Sequence, residues 1–402
     1  KREGKHPLEI AKQYETAFFD DLKKLNILPP TKLLRATESI KEQIEIIKIL
    51  EQKGFTYKDE SAIYFDTSKF QSYGKLAGQK LQDKKIGARE EVVVDKRKKN
   101  SADFVLWFFL AGRYKNHVLR WPSPWGEGFP GWHIECSAIS RHLLGQPFDI
   151  HAGGEDHIGT HHTNEMAQSE AAFGIPLANL WVHGAFMLID SGRMGKSLGN
   201  FIRLQDLVDR GYSPLAYRYF TFGAHYRSQL NFTWEAIEAA QNALDDLYAK
   251  ISELDGSPTG AMCPDYEHAF EREINDDLNM PRALSLVWRL IKKPNPDKLK
   301  LATLKQFDRV LGLDLLAGAE NLKSVPKEIK ELAKERERVR QEKNFKEADV
   351  LRVKIEQAGY TVRDTPQGPV VRKKEPCPLS DFGEGGGETG SFTDNLTLLA
   401  SP

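Results

Sequence analysis

His161 and Glu165 are residues whose types and spacing fit one half of a metal site. They lie four positions apart in T-H-H-T-N-E-M-A-Q-S-E-A-A-F from Thr160, a helical pattern that projects both side chains from one face. Cys136 could approach them from a neighbouring element, and Cys, His and Glu are all zinc ligands. His162 is a rival ligand, but it points about 100° away around a helix. The alternative is an ordinary surface pair of His and Glu.

A glycine pair after a predicted strand is the second feature that could bind a ligand. F-D-I-H-A-G-G-E-D-H from Phe148 runs from strand into loop, with Gly153 and Gly154 ahead of the predicted helix. Glycine allows close approach to the backbone, and a helix N-terminus favours anions. Asp156 could then bind ribose hydroxyls. The alternative is a turn without a ligand.

The segment R-M-G-K-S-L-G-N from Arg193 places two cations on a glycine-bearing loop that could fold over a triphosphate. It is not a phosphate loop of the G-x-x-x-x-G-K-S kind, because that motif requires glycine where Asp190 stands. The alternative is a solvated basic loop.

The elements that must position these residues begin with helices. Apolar residues recur at helical spacing from Leu8 and again from Ile40. From Gly54 the pattern changes to short β-like pieces, including S-A-I-Y-F-D from Ser61 and E-V-V-V-D from Glu91. These pieces indicate an insertion packed on a larger core.

The rest of the chain divides into an α/β part and a helical part. Short apolar strands and glycine loops from Asp103 to about Gly223 indicate an α/β domain, with a further strand predicted from Trp181. After about Asn231 amphipathic patterns indicate an almost wholly helical module. The tail from Pro376 is predicted to be disordered because it cannot bury a core.

Composition excludes several classes of protein. The 57 basic and 57 acidic side chains balance, so the net charge does not indicate a particular class of binding partner. No stretch approaches the ~20 apolar residues of a membrane span, and the N-terminus lacks the apolar run of a secretory signal. Three distant cysteines argue against a disulfide framework and for a reducing cytoplasm. We therefore expect a cytoplasmic protein without a membrane span, and we expect it to be a monomer.

Taken in order, these features resemble the class I aminoacyl-tRNA synthetases, whose signature K-M-S-K-S matches Arg193–Ser197. Around it the match narrows to the cysteinyl-tRNA synthetases, over about Pro7 to Lys374. The segments that carry it are K-N-S-A-D-F-V-L-W from Lys99, W-P-S-P-W-G-E-G-F-P-G-W-H-I-E-C-S from Trp121, D-I-H-A-G-G-E-D-H-I-G-T-H-H-T-N-E from Asp149, H-Y-R-S-Q-L-N-F from His225, D-D-L-N-M-P-R-A-L from Asp276 and R-D-T-P-Q-G-P from Arg363.

The resemblance implies a role for each matching residue. Three of them fall on the family's zinc ligands: Cys136, His161 and Glu165. Trp132 matches an aromatic wall of the substrate pocket. The residues implied in ATP binding are Gly154, Asp156, Arg193, Met194, Lys196 and Ser197, of which Lys196 is the expected catalytic residue. It would bind ATP phosphates as charge builds in the transition state.

The same resemblance implies a Rossmann-type parallel sheet domain with an inserted connective domain, followed by an all-α tRNA-binding region. The expected boundaries are 1–50 for the rest of the first half of the nucleotide fold, 51–115 for the insertion, 116–225 for the second half, 226–375 for the helical linker and anticodon-binding region, and 376–402 for the tail. The implied substrates and partners are L-cysteine, ATP with Mg²⁺ and tRNA(Cys), with Zn²⁺ selecting the thiol.

Some residues depart from the family pattern. Arg193 replaces the usual first signature lysine and Gly195 the usual serine, which keeps a cationic, flexible loop. The family's H-I-G-H motif and a fourth zinc cysteine would lie upstream of Lys1, so we expect an N-terminally truncated form that is poorly soluble and shows no pyrophosphate exchange. The segment H-I-G-T-H from His157 looks like the missing motif, but it lies directly before the predicted helix of His161 and Glu165, where the family has no H-I-G-H. We therefore do not expect it to replace that motif.

Two other functions stay open on the sequence. A ligase of the same fold that joins cysteine to an amino sugar would lack the helices from Pro326 to Gly359 and the R-D-T-P-Q-G-P segment. A non-catalytic remnant that binds tRNA or zinc is the other alternative, which ATP–pyrophosphate exchange would separate from an enzyme.

Overall fold

The computed structural model describes residues 4–78, 97–195, 198–365 and 368–373. The chain divides into two units, Lys1–Glu320 and Asn321–Pro402. The strand predicted at Glu91 and the tail predicted to be disordered from Pro376 lie outside the described residues. No described helix is both long and apolar enough to cross a membrane.

Two helices and an antiparallel sheet open the first unit. The helices, both predicted from their apolar spacing, are α1 (Pro7–Lys24) and α2 (Ile40–Gln52). The sheet has the order β1 (Thr56–Lys58), β2 (Ala62–Phe65), β3 (Phe104–Phe109) and β4 (Gly128–Pro130). The boundary predicted at residue 115 falls between β3 and β4, which pair with each other, and it stays a prediction.

A parallel βαβ unit follows, as the predicted α/β class requires. Helix α3 (Trp132–Leu144) precedes the unit, which consists of β5 (Phe148–Gly154), α4 (His161–Phe173) and β6 (Ala178–Gly184). β5 and β6 are parallel neighbours joined by α4. One apolar core links α2, the antiparallel sheet, α3 and α4, and it includes Leu50, Phe65, Trp107, Ile134 and Ala167. This core fixes the position of α3 against α4.

The strand predicted from Trp181 is interrupted in the structure. β6 ends at Gly184, and β7 (Met187–Ile189) begins after two residues. β7 turns through Asp190 and Ser191, both with positive φ, into β8 (Gly192–Arg193). On its other edge β7 pairs in parallel with β9 (Leu230–Phe232).

Helices form most of the remaining first unit. They are α5 (Leu204–Asp209), α6 (Pro214–Thr221), α7 (Trp234–Ser252), α8 (Pro264–Asn275), α9 (Met280–Lys292), α10 (Asp297–Leu311) and α11 (Leu315–Lys323), the last of which runs into the second unit. The amphipathic patterns after Asn231 predicted the helices from α7 onwards, whereas α5 and α6 lie in the part of the chain predicted to be an α/β domain.

The second unit corrects the expectation of an all-α C-terminal region. Its helices are α12 (Lys327–Gln341) and α13 (Phe345–Gln357), but the chain then forms an antiparallel hairpin of β10 (Tyr360–Thr365) and β11 (Gly368–Lys373). Buried Ile329, Ile355, Val362 and Val371 pack the hairpin on the two helices. The region is therefore helical with a terminal hairpin.

Candidate metal and nucleotide site

Helix α4 is buried on almost all sides and yet carries many polar side chains. His161 is 3% exposed, His162 2% and Glu165 0%. Burying polar groups costs free energy unless they find partners. Several polar groups of α4 have such partners: the Tyr73 hydroxyl donates to Asn164 Oδ1 (2.6 Å), and further along the helix Gln168 Nε2 donates to a main-chain carbonyl of α3 (2.5 Å). This polar lining indicates a functional site around α4.

Cys136, His161 and Glu165 come together where α3 packs against α4. Their ligand atoms all lie within 4.8 Å of one another, although the rest of α3 and the strand β5 separate Cys136 from the other two in the chain. His161 Nδ1 lies 2.9 Å from His133 Nδ1, which fixes the ring with Nε2 towards Glu165. The structure thus places the three predicted ligands in one cluster, while zinc binding by them stays a proposal.

The carboxylate of Glu165 has one oxygen with a partner and one without. Oε2 lies 3.0 Å from His151 Nε2 in hydrogen-bonding geometry. Oε1 lies 2.8 Å from His161 Nε2 but out of hydrogen-bonding geometry, so it is buried and unpartnered among the described residues. A cation between Oε1, the imidazole nitrogen and the Cys136 sulfur would satisfy this orphaned atom, and S, N and O are a zinc donor set.

The ionisation of the cluster also fits a cation. Burial, together with the nearby carboxylates of Glu165 and Glu135, raises the pKa of the Cys136 thiol to about 12. Burial acts to raise the pKa of Glu165 as well, but the imidazoles of His151 and His161 outweigh it and lower that pKa to about 2. The thiol therefore needs a bound cation to become a thiolate, whereas the carboxylate is already charged.

A second group of possible ligands shares Glu165 and contains His151 and His162. His162 Nδ1 lies 2.8 Å from His183 Nε2, so this imidazole has a partner on β6. Burial lowers the pKa of His162 to about 3, and it stays neutral. The helix-face argument missed that His162 also reaches the neighbourhood of Glu165, and the choice of His161 over His162 as a ligand stays a prediction. The group with the thiol remains the better zinc set because it includes sulfur.

Trp132 lies over the cluster with its ring in contact with a proposed ligand. The indole stacks on the imidazole of His161, with 4.1 Å between ring centroids and 24° between planes, and meets His157 edge to face. Its side chain is 55% exposed, so one side of the ring is open. An aromatic wall with a free face beside the ligand set is consistent with the predicted substrate contact.

The glycine pair leaves no space for side chains. A Cβ on Gly153 would lie 2.6 Å from His162 Cε1 and 2.9 Å from His157 Nδ1, and one on Gly154 would lie 2.6 Å from an Asp156 carboxylate oxygen. β5 therefore ends with its backbone packed directly against imidazoles and a carboxylate. His157 Nδ1 is buried without a hydrogen-bond partner among the described residues. The nucleotide roles of Gly154 and Asp156 stay predictions.

The basic loop is described only at its ends, because Lys196 and Ser197 lie outside the described residues. Arg193 is exposed at the end of β8, and Met194 packs towards the core formed by Ile189 and Phe232. Asn200 joins the two ends: its Oδ1 accepts from the Gly195 N–H (2.9 Å) and its Nδ2 donates to the Arg193 carbonyl (3.0 Å).

Sequence reasoning missed four residues around these groups. Three of them are histidines that contact the proposed ligands or His162, namely His133, His151 and His183. The fourth is Asn200, which joins the two ends of the basic loop by hydrogen bonds. A signal was present for one of them, since His151 stands two residues before Gly153 and strand residues at that spacing share a face. His133 and His183 carried no such spacing.

Two family models match the chain. Residues 1–242 match the class I (C) tRNA synthetase catalytic domain, and residues 322–372 match the cysteinyl-tRNA ligase anticodon-binding domain. Cysteine–tRNA ligase 1 of Burkholderia lata is 45% identical over 370 residues, which are 92% of this chain and 77% of that protein. The cysteine–tRNA ligase of Treponema denticola is 41% identical over 396 residues, with 90% and 79% of the two chains covered.

A solved structure agrees at the level of the fold. The methionyl-tRNA synthetase of Mycobacterium tuberculosis in complex with methionyl-adenylate superposes with a TM-score of 0.50 at 16% identity, covering 79% of this chain and 80% of that one. At this identity the likeness supports the class I fold alone. The two family models and the two relatives show that this chain belongs to the cysteinyl-tRNA synthetases, within the class I aminoacyl-tRNA synthetases.

Proposed function

We propose that the protein activates L-cysteine with ATP and transfers it to tRNA(Cys). The cysteine carboxylate attacks the α-phosphorus of ATP and pyrophosphate leaves; a hydroxyl of the tRNA 3′ end then attacks the adenylate carbonyl and AMP leaves. The observation that carries the proposal is the cluster of Cys136, His161 and Glu165 beneath Trp132, in a chain of this family.

We propose that Cys136, His161 and Glu165 hold Zn²⁺. When bound, zinc would favour the substrate thiolate over a hydroxyl, because soft sulfur ligands bind it well and serine offers none. The protein residues have separate tasks. His133 and His151 orient the ligands His161 and Glu165 through their hydrogen bonds. A pocket that demands one specific polar contact can reject the analogue lacking it by roughly 10⁴-fold without a separate editing site.

Residues at the end of β5 and on the basic loop are proposed to bind ATP. Gly154 would allow the nucleotide close to the backbone, and Asp156 would accept hydrogen bonds from ribose hydroxyls. Arg193, Met194, Lys196 and Ser197 belong to the loop whose cations would face the phosphates, with Lys196 acting on the charge that develops in the transition state. Mg²⁺ is expected to accompany the triphosphate.

The match of residues 322–372 to an anticodon-binding domain supports tRNA(Cys) as the partner. It also argues against the amino-sugar ligase, which would have no use for such a region. We propose further that the protein works as a monomer in the cytoplasm, where its tRNA substrate is found. Size-exclusion chromatography with light scattering would test the oligomeric state.

Cysteine-dependent exchange of pyrophosphate into ATP tests the activation step. The full-length protein should support exchange with cysteine and discriminate strongly against serine. Cys136→Ser should lose bound zinc and narrow the difference between cysteine and serine. Charging of tRNA(Cys) tests the second step. Exchange without charging would favour the amino-sugar ligase, and absence of both would favour a non-catalytic remnant.

A further inference from the structure

Two sequence segments that lie about fifty residues apart meet at Asp277. The Tyr226 hydroxyl donates to Asp277 Oδ1 (2.6 Å) and accepts from Arg227 Nε (3.0 Å), which also lies 3.0 Å from Asp277 Oδ2 in an ion pair. His225 Nε2 lies 2.8 Å from the Asp277 carbonyl oxygen. Three consecutive residues thus contact all three oxygen atoms of one aspartate. We call this set, His225 to Arg227 with Asp277, the aspartate joint.

The hydrogen bonds of His225 show which of its ring nitrogens carries the proton. The Arg227 main-chain N–H donates to His225 Nδ1 (3.3 Å), so that nitrogen is unprotonated and Nε2 carries the hydrogen given to Asp277. Asp277 and Leu278 both have positive φ, of 53° and 55°. Consecutive left-handed residues other than glycine are strained and persist where surrounding contacts hold them. The joint supplies such contacts at the turn between α8 and α9.

A continuous path leads from the joint to the proposed nucleotide site. The Tyr226 carbonyl accepts from the Ala185 N–H (2.8 Å), directly after β6. The next residue, Phe186, donates its N–H to Glu155 Oε1 (2.9 Å), and Glu155 precedes Asp156 in the turn after β5. Each link is a hydrogen bond or a chain neighbour. The α8–α9 turn is therefore tied to the loop that carries Asp156.

We propose that Tyr226 and Asp277 are positioning residues for the transfer of cysteine to tRNA. The inference rests on the proposed function. Activation uses small substrates held by residues of the site itself, whereas transfer must align the 3′ end of a long macromolecule with the adenylate. Misplacement by about 1 Å can cost 10²-fold in rate. The aspartate joint fixes the α8–α9 turn relative to the active-site loop, and this alignment depends on it.

Tyr226→Phe and Asp277→Asn in the full-length protein test the inference. Each removes one donor or acceptor of a charge-assisted hydrogen bond, so single-turnover transfer from preformed adenylate to tRNA should slow about tenfold. Cysteine-dependent pyrophosphate exchange should stay within about twofold of wild type. The effect of the double variant should be smaller than the product of the two single effects, because both variants weaken the same group of contacts at Asp277.

Matched controls separate positioning from stability. Tyr219→Phe removes the hydroxyl that accepts from Trp288 Nε1 (3.0 Å), and Asp246→Asn removes the partner of Lys250 (3.5 Å). Both should leave transfer unchanged. Normal transfer in the joint variants, or equal loss of exchange and transfer with a matching fall in Tm, would overturn the inference. Absence of both exchange and charging in the full-length wild-type protein would instead refute the proposed function.

Discussion

Replacing His161 or His162 by alanine separates the two candidate metal groups. The residues are chain neighbours on α4, are 3% and 2% exposed, and belong to different groups that share Glu165. Because they have equal volume and almost equal burial, both variants should lose a similar free energy of unfolding, about 2–5 kcal/mol for large-to-small changes in a core. Only their effects on metal should differ.

The expected difference can be worked from the ligand set. Losing a residue that merely orients a ligand weakens metal binding by about 10–100-fold, so losing the ligand His161 should cost at least about 100-fold. His162 already has His183 as a partner at 2.8 Å and supplies no atom to the thiol-containing group. His162→Ala should therefore hold zinc within about threefold of wild type.

Zinc content after dialysis, followed by competition with a chelator of known affinity, measures the effect. Circular dichroism checks that both variants are folded. Retention of zinc by His161→Ala together with its loss from His162→Ala would refute the assignment and place the ion in the histidine-rich group. Loss from both would show that the two groups form one centre.

Four further outcomes follow from the site. Lys196→Ala should lower the rate of adenylation by roughly 10²–10³ with little change in cysteine KM, measured by pyrophosphate exchange. Asn200→Ala should lower kcat/KM for ATP by about tenfold through loss of two hydrogen bonds, with Asn200→Asp less affected because it keeps one acceptor. Gly153→Ala should lower the free energy of unfolding by about 1–3 kcal/mol, seen in denaturant titrations, because its Cβ would lie 2.6 Å from His162. Burial lowers the pKa of His162 to about 3, so between pH 6.5 and 3 the unfolded chain binds a proton that the folded protein does not bind. In zinc-free protein the free energy of unfolding should therefore fall by up to about 1.4 kcal/mol per pH unit as the pH drops from 6.5 towards 3. This decrease should be smaller in His162→Asn.

What could be predicted of the site followed from local geometry. His161 and Glu165 share a helix face because residues four apart on a helix always do. The approach of Cys136 depends instead on how α3 packs on α4, through buried Ile134 and Ala167 among others, and no local spacing encodes that contact. The family resemblance supplied it. The sequence alone left both a metal site and a surface pair open.

The terminal hairpin was missed although a signal existed. T-V-R-D-T and G-P-V-V-R flank Pro366 and Gln367, and β-rich runs around a short turn with Pro and Gly are typical of hairpins. The strong helical patterns of α12 and α13 favoured extending the helical interpretation to the end. His183 could not have been predicted, because its contact with His162 requires the parallel register that sets Gly153 opposite His183.

Glu165 connects the proposed metal site with the proposed nucleotide site. One of its oxygens faces His161 in the metal group, while the other accepts from His151 on β5. Two residues later β5 reaches Gly153, whose backbone packs against His162 and His157 without space for a methyl group. The proposed zinc ligands on α4 and the glycine loop at the end of β5 are therefore connected by a buried hydrogen bond and a close contact. Because side chains in packed interiors interdigitate with few voids, we expect a shift of the loop to move the carboxylate as well, so that the proposed metal and nucleotide sites move together.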